Sequence, residues 1–362
     1  MLRLEARAEP SRAMIYLSPV FALGLTLVAG VVLFEIMGVP AGDALYAFFI
    51  EPLSSLYGLT ELGVKATPLI LIGVALAIGF RANVWNIGAE GQLTLGAIFG
   101  GGVGLLLYDV DSKWVLPAML LAAMLGGMLW AAIPAFLRTR FNTSEILVSL
   151  MLTYVATLLL SYLVHGPWRD PDGFNFPESR MFHDAASLPI IFPDSRLHIG
   201  FALALFVVVA AWFVISRTLI GFQIQVIGRA PRAGAYAGFS HKKLIWMTLL
   251  FAGAAAGLAG VIEVSGPIGQ LLPSISPGYG FTAIIVAFVG RLHPVGVLLA
   301  SLLMALSYLG GENAQISLNL PLAVTGVFQG LLLFMLLACD VLIRYRIRIG
   351  PIVSKIDAGN TA

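Results

Sequence analysis

Apolar stretches of about twenty residues recur along almost the whole of this chain, and no other feature limits its folding as strongly. A helix crossing the hydrocarbon core of a bilayer needs about 20 mostly apolar residues, with a range of roughly 17–25. Stretches of this kind occupy residues 14–37, 87–108, 114–137, 146–164, 199–215, 245–262 and 322–343, and shorter ones occupy 63–80, 281–290 and 295–309. The last two are divided by Arg291, Leu292, His293 and Pro294, where a proline among polar residues breaks the helix. The pattern predicts an all-α, polytopic integral membrane protein of about ten transmembrane helices. Segment 14–37 is longer than the roughly 7–15-residue core of a signal peptide, and no small-x-small site closes it, so it reads as a retained first helix.

Composition agrees. Of 362 residues, 59% are hydrophobic and 11% are charged, whereas a soluble domain carries about 25% charged residues. So few charges cannot cover a water-facing surface, which argues against a soluble enzyme, a disordered chain and a nucleic-acid binder. A net charge of +2 implies no polyanionic partner. The single cysteine, Cys339, excludes an internal disulfide framework and a Cys-rich metal site.

The distribution of positive charge supports the span count. With the N-terminus in the cytoplasm, the inside receives Arg3, Arg7, Arg12, Arg81, Arg138, Arg140, Arg217, Arg229, Arg232, Lys242, Lys243, Arg291, Arg344, Arg346, Arg348 and Lys355, which is 16 of the 21 Lys and Arg residues. Lys65, Lys113, Arg169, Arg180 and Arg196 fall outside. A miscounted span would invert every later loop and destroy this bias. Both termini are therefore expected in the cytoplasm.

Two loops stand out. The outer loop, 165–198, sets Trp168, Phe174, Phe176 and Phe182 beside Asp170, Asp172, Glu178, Asp184 and Asp194. It suits docking of an external protein, or equally a solvated lid with incidental aromatics. The inner loop, 216–243, carries five positive charges and no acid. Pro231 suits the first position of a short helix and Gly238 its C-terminal stop, with Arg232 and Tyr236 four apart on one face. A partner groove can close on such a helix; anchoring of its basic residues at the inner leaflet is the simpler alternative.

Polar groups also interrupt the apolar spans. In the run from Arg81 to Gln92, irregular backbone at membrane depth must be buried in protein or line a cavity. Glu90 there needs a partner or water, and an Arg81–Glu90 pair is one solution. A second interruption runs from Glu263 to Gln270 and on to Gly280. Paired Gly/Pro-interrupted segments point to a transporter's substrate region, and Gly91-Gln92 and Gly269-Gln270 share a short step. These features nominate Asn83, Trp85, Asn86, Glu90, Gln92, Glu263 and Gln270 as pathway residues, with Thr153 facing either a pore or a neighbouring helix. At Asn142-Thr143-Ser144-Glu145, a Thr or Ser followed by an acid fits a capped helix N-terminus.

The chain shows no means of powering transport. It contains no G-x-x-x-x-G-K-[ST] motif, no His- or Cys-rich metal cluster, no Ser-His-Asp set and no chain of buried acids forming a proton relay. On these grounds no metal, cofactor or catalytic residue is expected.

The run from Phe80 to Gln92 resembles the signature of permease subunits in bacterial ABC importers for nucleosides and simple sugars, a branch of the family that also contains branched-chain amino acid permeases. Thr143-Ser144-Glu145 followed by Met151 to Ala156 is similar to a second family segment, with Thr153 where the family carries Asn. The loop from Gly228 to Phe239 looks like the family's coupling loop, and the likeness extends through Tyr279–Gly290, Asn313 and residues 320–330.

The resemblance implies one transmembrane permease domain over 1–362, of the type II-like importer arrangement, in the bacterial inner membrane. It implies partners: ATP-binding subunits that hydrolyse ATP, a second permease (homologous or identical) and a periplasmic or lipoprotein substrate-binding protein, with membrane lipid around them and no nucleic acid. Arg229, Pro231, Arg232, Gly234, Tyr236 and Gly238 would meet the ATPase. A secondary transporter or channel for a small polar solute is the alternative reading.

Overall fold

The structure, a computed structural model, describes residues 2–7 and 11–349; Lys355, counted above on the inside, lies outside them. Among the described residues the chain forms thirteen α-helices and two short strands. Strand β1 (Leu2–Ala6) is followed by α1 (Arg12–Ile36), the short α2 (Ala41–Leu45), α3 (Leu56–Arg81), α4 (Ala89–Leu106), α5 (Val115–Phe141) and α6 (Glu145–His165). After the outer loop come α7 (Gly200–Arg217), α8 (Leu219–Arg229), α9 (Pro231–Tyr236), α10 (His241–Glu263), α11 (Tyr279–Val289), α12 (Pro294–Leu318), α13 (Leu322–Arg344) and strand β2 (Tyr345–Ile349).

Each of the ten apolar stretches falls on a helix, and α2, α8 and α9 account for the other three. Among the described residues, seven helices are long and apolar enough to cross a membrane: α3, α5, α6, α7, α10 with its π-helical extension, α12 and the Gly326–Ile343 part of α13. Val20–Ile36 of α1 and Tyr279–Val289 of α11 are shorter apolar helices. The helix α4 belongs to neither group, because Glu90, Gln92 and its glycine run dilute its hydropathy.

Small polar residues set several helix starts. Ser55 accepts a bond from the Gly58 N–H at 3.0 Å, Thr218 from Gly221 at 3.3 Å and Ser240 from Lys243 at 3.4 Å, capping α3, α8 and α10. The expected cap at Asn142–Glu145 is realised differently. The helix α6 does begin at Glu145, but the Ser144 side chain caps nothing. Glu145 instead pairs with Arg138 at 3.3 Å and accepts the Trp85 N–H at 3.4 Å. An ion pair and an acceptor for a backbone donor satisfy the carboxylate better than the helix end alone.

The chain divides into two compact units. One comprises the described residues of 1–50 and 311–349. There α1 packs on α13, and Phe34, Phe48 and Phe328 form an aromatic core with centroids 4.9–6.1 Å apart. The strands β1 and β2 pair antiparallel, Leu2 opposite Ile349 and Ala6 opposite Tyr345, with an ion pair between Glu5 and Arg346 at 2.9 Å.

In the second unit, Glu51–Gly310, the helices α3, α4 and α10 are buried along most of their length. Of the most apolar window, 89% is buried in α3 and 78% in α10, against 22–33% in α5, α6 and α7. The outer three therefore present most of their apolar surface away from protein, as lipid-facing helices do. Backbones approach closely where glycines meet: Gly96 of α4 lies on Gly257 of α10, and Gly127 of α5 on Gly253. The glycine-rich spans thus pack tightly, small residues letting helix backbones approach closely in lipid.

Candidate functional site: a polar break between two helices, and a short helix pair

The candidate site grows from the end of α3. Ala82 closes the helix through a bond to the Gly79 carbonyl at 2.9 Å, and Asn83 turns the chain at φ 58°, a left-handed conformation that asparagine tolerates. The exposed Asn83 accepts a bond from the Trp85 indole N–H at 2.9 Å. Trp85 stacks on Phe288 of α11 at 5.7 Å and meets Phe80 of α3 at 5.1 Å, while Phe80 stacks on Phe288 at 5.0 Å. Three aromatic rings therefore tie the break to α3 and α11.

Beyond them the chain is held by a reciprocal amide pair. Asn86 Nδ2 donates to Gln92 at 2.8 Å, Gln92 Nε2 donates to Asn86 at 3.1 Å, and Asn86 also accepts the Gly88 N–H at 3.1 Å. Both side chains are buried. Buried amides need such satisfaction, and here each serves as the other's partner.

Glu90 is buried in the first turn of α4, and its carboxylate accepts the Gly280 N–H of α11 at 2.6 Å and a bond from Ser276. One carboxylate thus serves the positive N-terminal ends of two helices, which offsets the cost of holding an acid at this depth. Arg81 is not its partner. The Arg81 guanidinium donates through Nε to the Leu292 carbonyl at 2.7 Å, in the turn between α11 and α12.

The helix α6 closes on this region where there is no side chain to obstruct it. A Cβ at Gly91 would lie 2.7 Å from Thr153 Cα, and one at Gly88 would lie 2.7 Å from Ser149 Cβ. Buried Thr153 bonds the Ser149 carbonyl of its own helix at 3.2 Å and packs against Gly91, so it faces a neighbouring helix. The Ser149 hydroxyl accepts the Ile87 N–H at 3.3 Å. The roles of Glu145, Ser149, Gly280, Phe288 and Leu292 carry no local sequence signal, because each depends on contacts between residues far apart in the chain.

The structure gathers Asn83, Trp85, Asn86, Glu90, Gln92 and Thr153 into one neighbourhood and places the other two candidates elsewhere. Glu263 is buried in the last turn of α10, ahead of a π-helical turn over Val264–Ile268. Gln270 donates to Glu178 of the outer loop at 2.9 Å. The two Gly-Gln steps therefore occupy unlike surroundings.

The outer loop folds back on the helix ends. Phe182 N–H bonds the Gly269 carbonyl at 2.8 Å, Leu188 N–H bonds Ser265 at 2.9 Å, and Arg196 forms a two-pronged ion pair with buried Glu61 of α3. His198 is buried beside Gly200 and Gly266. Phe174, Phe176, Ile190, Ile191 and Phe192 remain exposed along its surface.

Against the end of α3, at Arg81 and Ala82, lies α8, with α9 following it. As the sequence predicts, Pro231 opens α9 and Gly238 takes a left-handed φ of 79° just after it. Arg232 is exposed, and Tyr236 is 95% exposed. Gly234 is buried against Ile227 of α8. The amphipathic α8, ending at Arg229, lies within the loop 216–243. Its Thr218 cap and its apolar Ile224 and Ile227, three apart, are the signal that identifies it.

Residues 58–337 match the model of the branched-chain amino acid transport system/permease component family. The chain is 38% identical to a glucose ABC transporter permease protein of Haloferax volcanii, over 96% of this chain and 94% of that protein. It is 33% identical to a guanosine ABC transporter permease protein of Bacillus subtilis, over 86% and 90%, and 28% identical to a nucleoside ABC transporter permease protein of Lactococcus lactis, over 73% and 75%. This multi-pass membrane protein belongs to the permease-component family of ABC transport systems.

Proposed function

We propose that the chain is the permease subunit of an ATP-driven importer and forms the membrane pathway for a nucleoside or a simple sugar. The observation that carries this reading is the near full-length identity to both a glucose and a guanosine permease. ATP is hydrolysed on separate subunits, which dock on α9 and the residues flanking it, at Arg229, Pro231, Arg232, Gly234, Tyr236 and Gly238. The exposed Arg232 and Tyr236 are the contact face, and the Ile227–Gly234 contact transmits motion to α8. A second permease completes the pathway, and a periplasmic or lipoprotein binding protein delivers the solute at the outer loop. Asn83, Trp85, Asn86, Glu90, Gln92, Thr153, Glu263 and Gln270 border that pathway, some as wall and others as supports of the wall.

The seven long apolar helices together with α1, α4 and α11 support a single permease domain of about ten spans, and the family resemblance supports its type II-like arrangement. Pairing of β1 with β2 supports an even count, since it brings the N-terminal end of α1 and the C-terminal end of α13 to one face of the membrane. The distribution of Lys and Arg makes that face cytoplasmic.

The test is reconstitution of the chain with its co-purifying subunits in liposomes, with labelled guanosine and glucose as solutes. Uptake should require ATP and should fail in Arg232→Glu, which should also lose the ATPase on purification. Flux through the purified chain in ATP-free liposomes would instead establish a channel or secondary carrier.

A further inference from the structure

We propose that Arg81 is the positioning residue that links the cytoplasmic helix pair to the α11–α12 hairpin, which rests on the importer reading above. Arg81 is the last residue of α3, and it is engaged through both its main chain and its side chain. Its carbonyl oxygen lies where a Cβ of Gly228 would be, so α8 sits on the end of α3 by a contact that no side chain permits. Gly221, two turns earlier on α8, is pressed in the same way onto the Val214 and Ile215 carbonyls of α7. The helix α8 is therefore a bar laid across the ends of α7 and α3. A Cβ at Gly234 of α9 would lie 2.8 Å from Ile227, which seats α9 on that bar.

The Arg81 side chain makes the second connection, its 2.7 Å bond to Leu292 O. Arg291 and Leu292 both have left-handed backbone, φ 54° and 56°. Side chains of this size rarely adopt it, and such a turn persists only where its surroundings hold it. The bond from Arg81 is one such restraint. Arg229, at the end of α8, carries the same charge as Arg81, so this pair does not draw α8 onto α3. Displacement of α9 thus reaches Arg81 through Gly228 and leaves it through Leu292, to the hairpin whose α11 bears Phe288 and whose first turn is bonded to Glu90.

A chain of contacts is not yet a coupling, so the test is a double-mutant cycle. The complete transporter, reconstituted with its ATPase and binding-protein subunits, is assayed for molecules imported per ATP hydrolysed. Arg81→Ala and Gly228→Ala should each lower that ratio about fivefold or more, the size of an ordinary allosteric coupling. The double variant should fall no lower than the worse single one, because two breaks in series act once. Arg81→Lys, which keeps a donor for the Leu292 carbonyl, should recover part of the ratio.

A wild-type ratio in Arg81→Ala, losses that multiply in the double variant, or Arg81→Lys no better than Arg81→Ala would overturn the assignment. If Arg81→Ala fails to assemble, the same cycle run with Arg81→Lys and Gly228→Ala decides it by the same non-additivity. Absence of ATP-dependent uptake by the wild-type complex would sink the importer reading and is thereby distinguished from failure of the Arg81 link.

Discussion

Gly257 lies at a close helix crossing in the larger unit, and replacing it with alanine tests how α10 is packed. On one side a Cβ at Gly96 of α4 would collide with the Gly257 backbone. On the other, a Cβ at Gly257 would collide with the Ala123 carbonyl oxygen of α5, with its carbon at 3.0 Å and Gly127 Cα at 3.2 Å. Ordinary contacts begin near 3.4 Å, and every atom met is backbone, so no side chain can swing aside. The helices must separate, and a gap of about 0.5–1 Å forfeits a quarter to a half of each dispersion well it opens.

Overpacking of this kind costs about 1–3 kcal/mol, while the same change returns about 1 kcal/mol of helix propensity. The second term is isolated by Gly24→Ala in α1, where nothing lies within 4 Å of the added carbon. The two variants should therefore differ by about 1–3 kcal/mol. At about 2–4 °C per kcal/mol for a large domain, their unfolding midpoints in one detergent should be about 2–12 °C apart, with Gly257→Ala the lower. Coincident midpoints would refute the close crossing of α5 and α10.

Two further perturbations probe other parts of the second unit. His198 is 2% exposed, and burial pushes its pKa down from 6.5 to about 4 against the opposing pull of the Glu61 charge. The unfolded chain therefore binds more protons between about pH 4 and 6.5. The stability this histidine contributes is complete above pH 6.5 and is lost as pH falls through that window. The midpoint of the wild type should drop more steeply between pH 6.5 and 4.5 than that of His198→Gln, and parallel slopes would exclude the effect. Asn86→Ala leaves Gln92, 1% exposed, without its amide partner, at a cost of about 1–3 kcal/mol for a buried unsatisfied group. The double variant Asn86→Leu/Gln92→Leu should unfold nearer the wild type than Asn86→Ala does, and an equal or lower midpoint would show that the amide pair does not stabilise this turn.

Legibility in the sequence followed the range of the physics involved. Helix positions were readable because length and hydropathy are local, so each expected stretch lies on a helix. The ends of α9 were readable for the same reason: proline has no N–H to lose at a first helical position, and glycine tolerates the left-handed stop. Near the break, the sequence marked Glu90 as an acid needing compensation but offered Arg81, nine residues away, as the partner. The partner is the Gly280 N–H, 190 positions along the chain. The same limit applies to Ser144, whose expected cap gave way to the Arg138–Glu145 pair, and to Gln270, whose partner Glu178 lies in the outer loop.

Hydropathy and the placement of positive charge, both properties of short segments measured against a bilayer, determined from the sequence alone that this chain lives in a membrane and where its helices run. The tertiary structure decided which helices are buried, α3 and α10 among them, since nearly identical hydropathies of 2.0–2.1 belong to buried and lipid-facing helices alike. In hydrocarbon, apolar surface gains nothing by turning inward, so close backbone packing and satisfied polar groups select the neighbours. Those are contacts between residues distant in sequence, such as Gly96 with Gly257, Glu90 with Gly280 and Arg81 with Gly228 and Leu292, and only the folded chain brings them together.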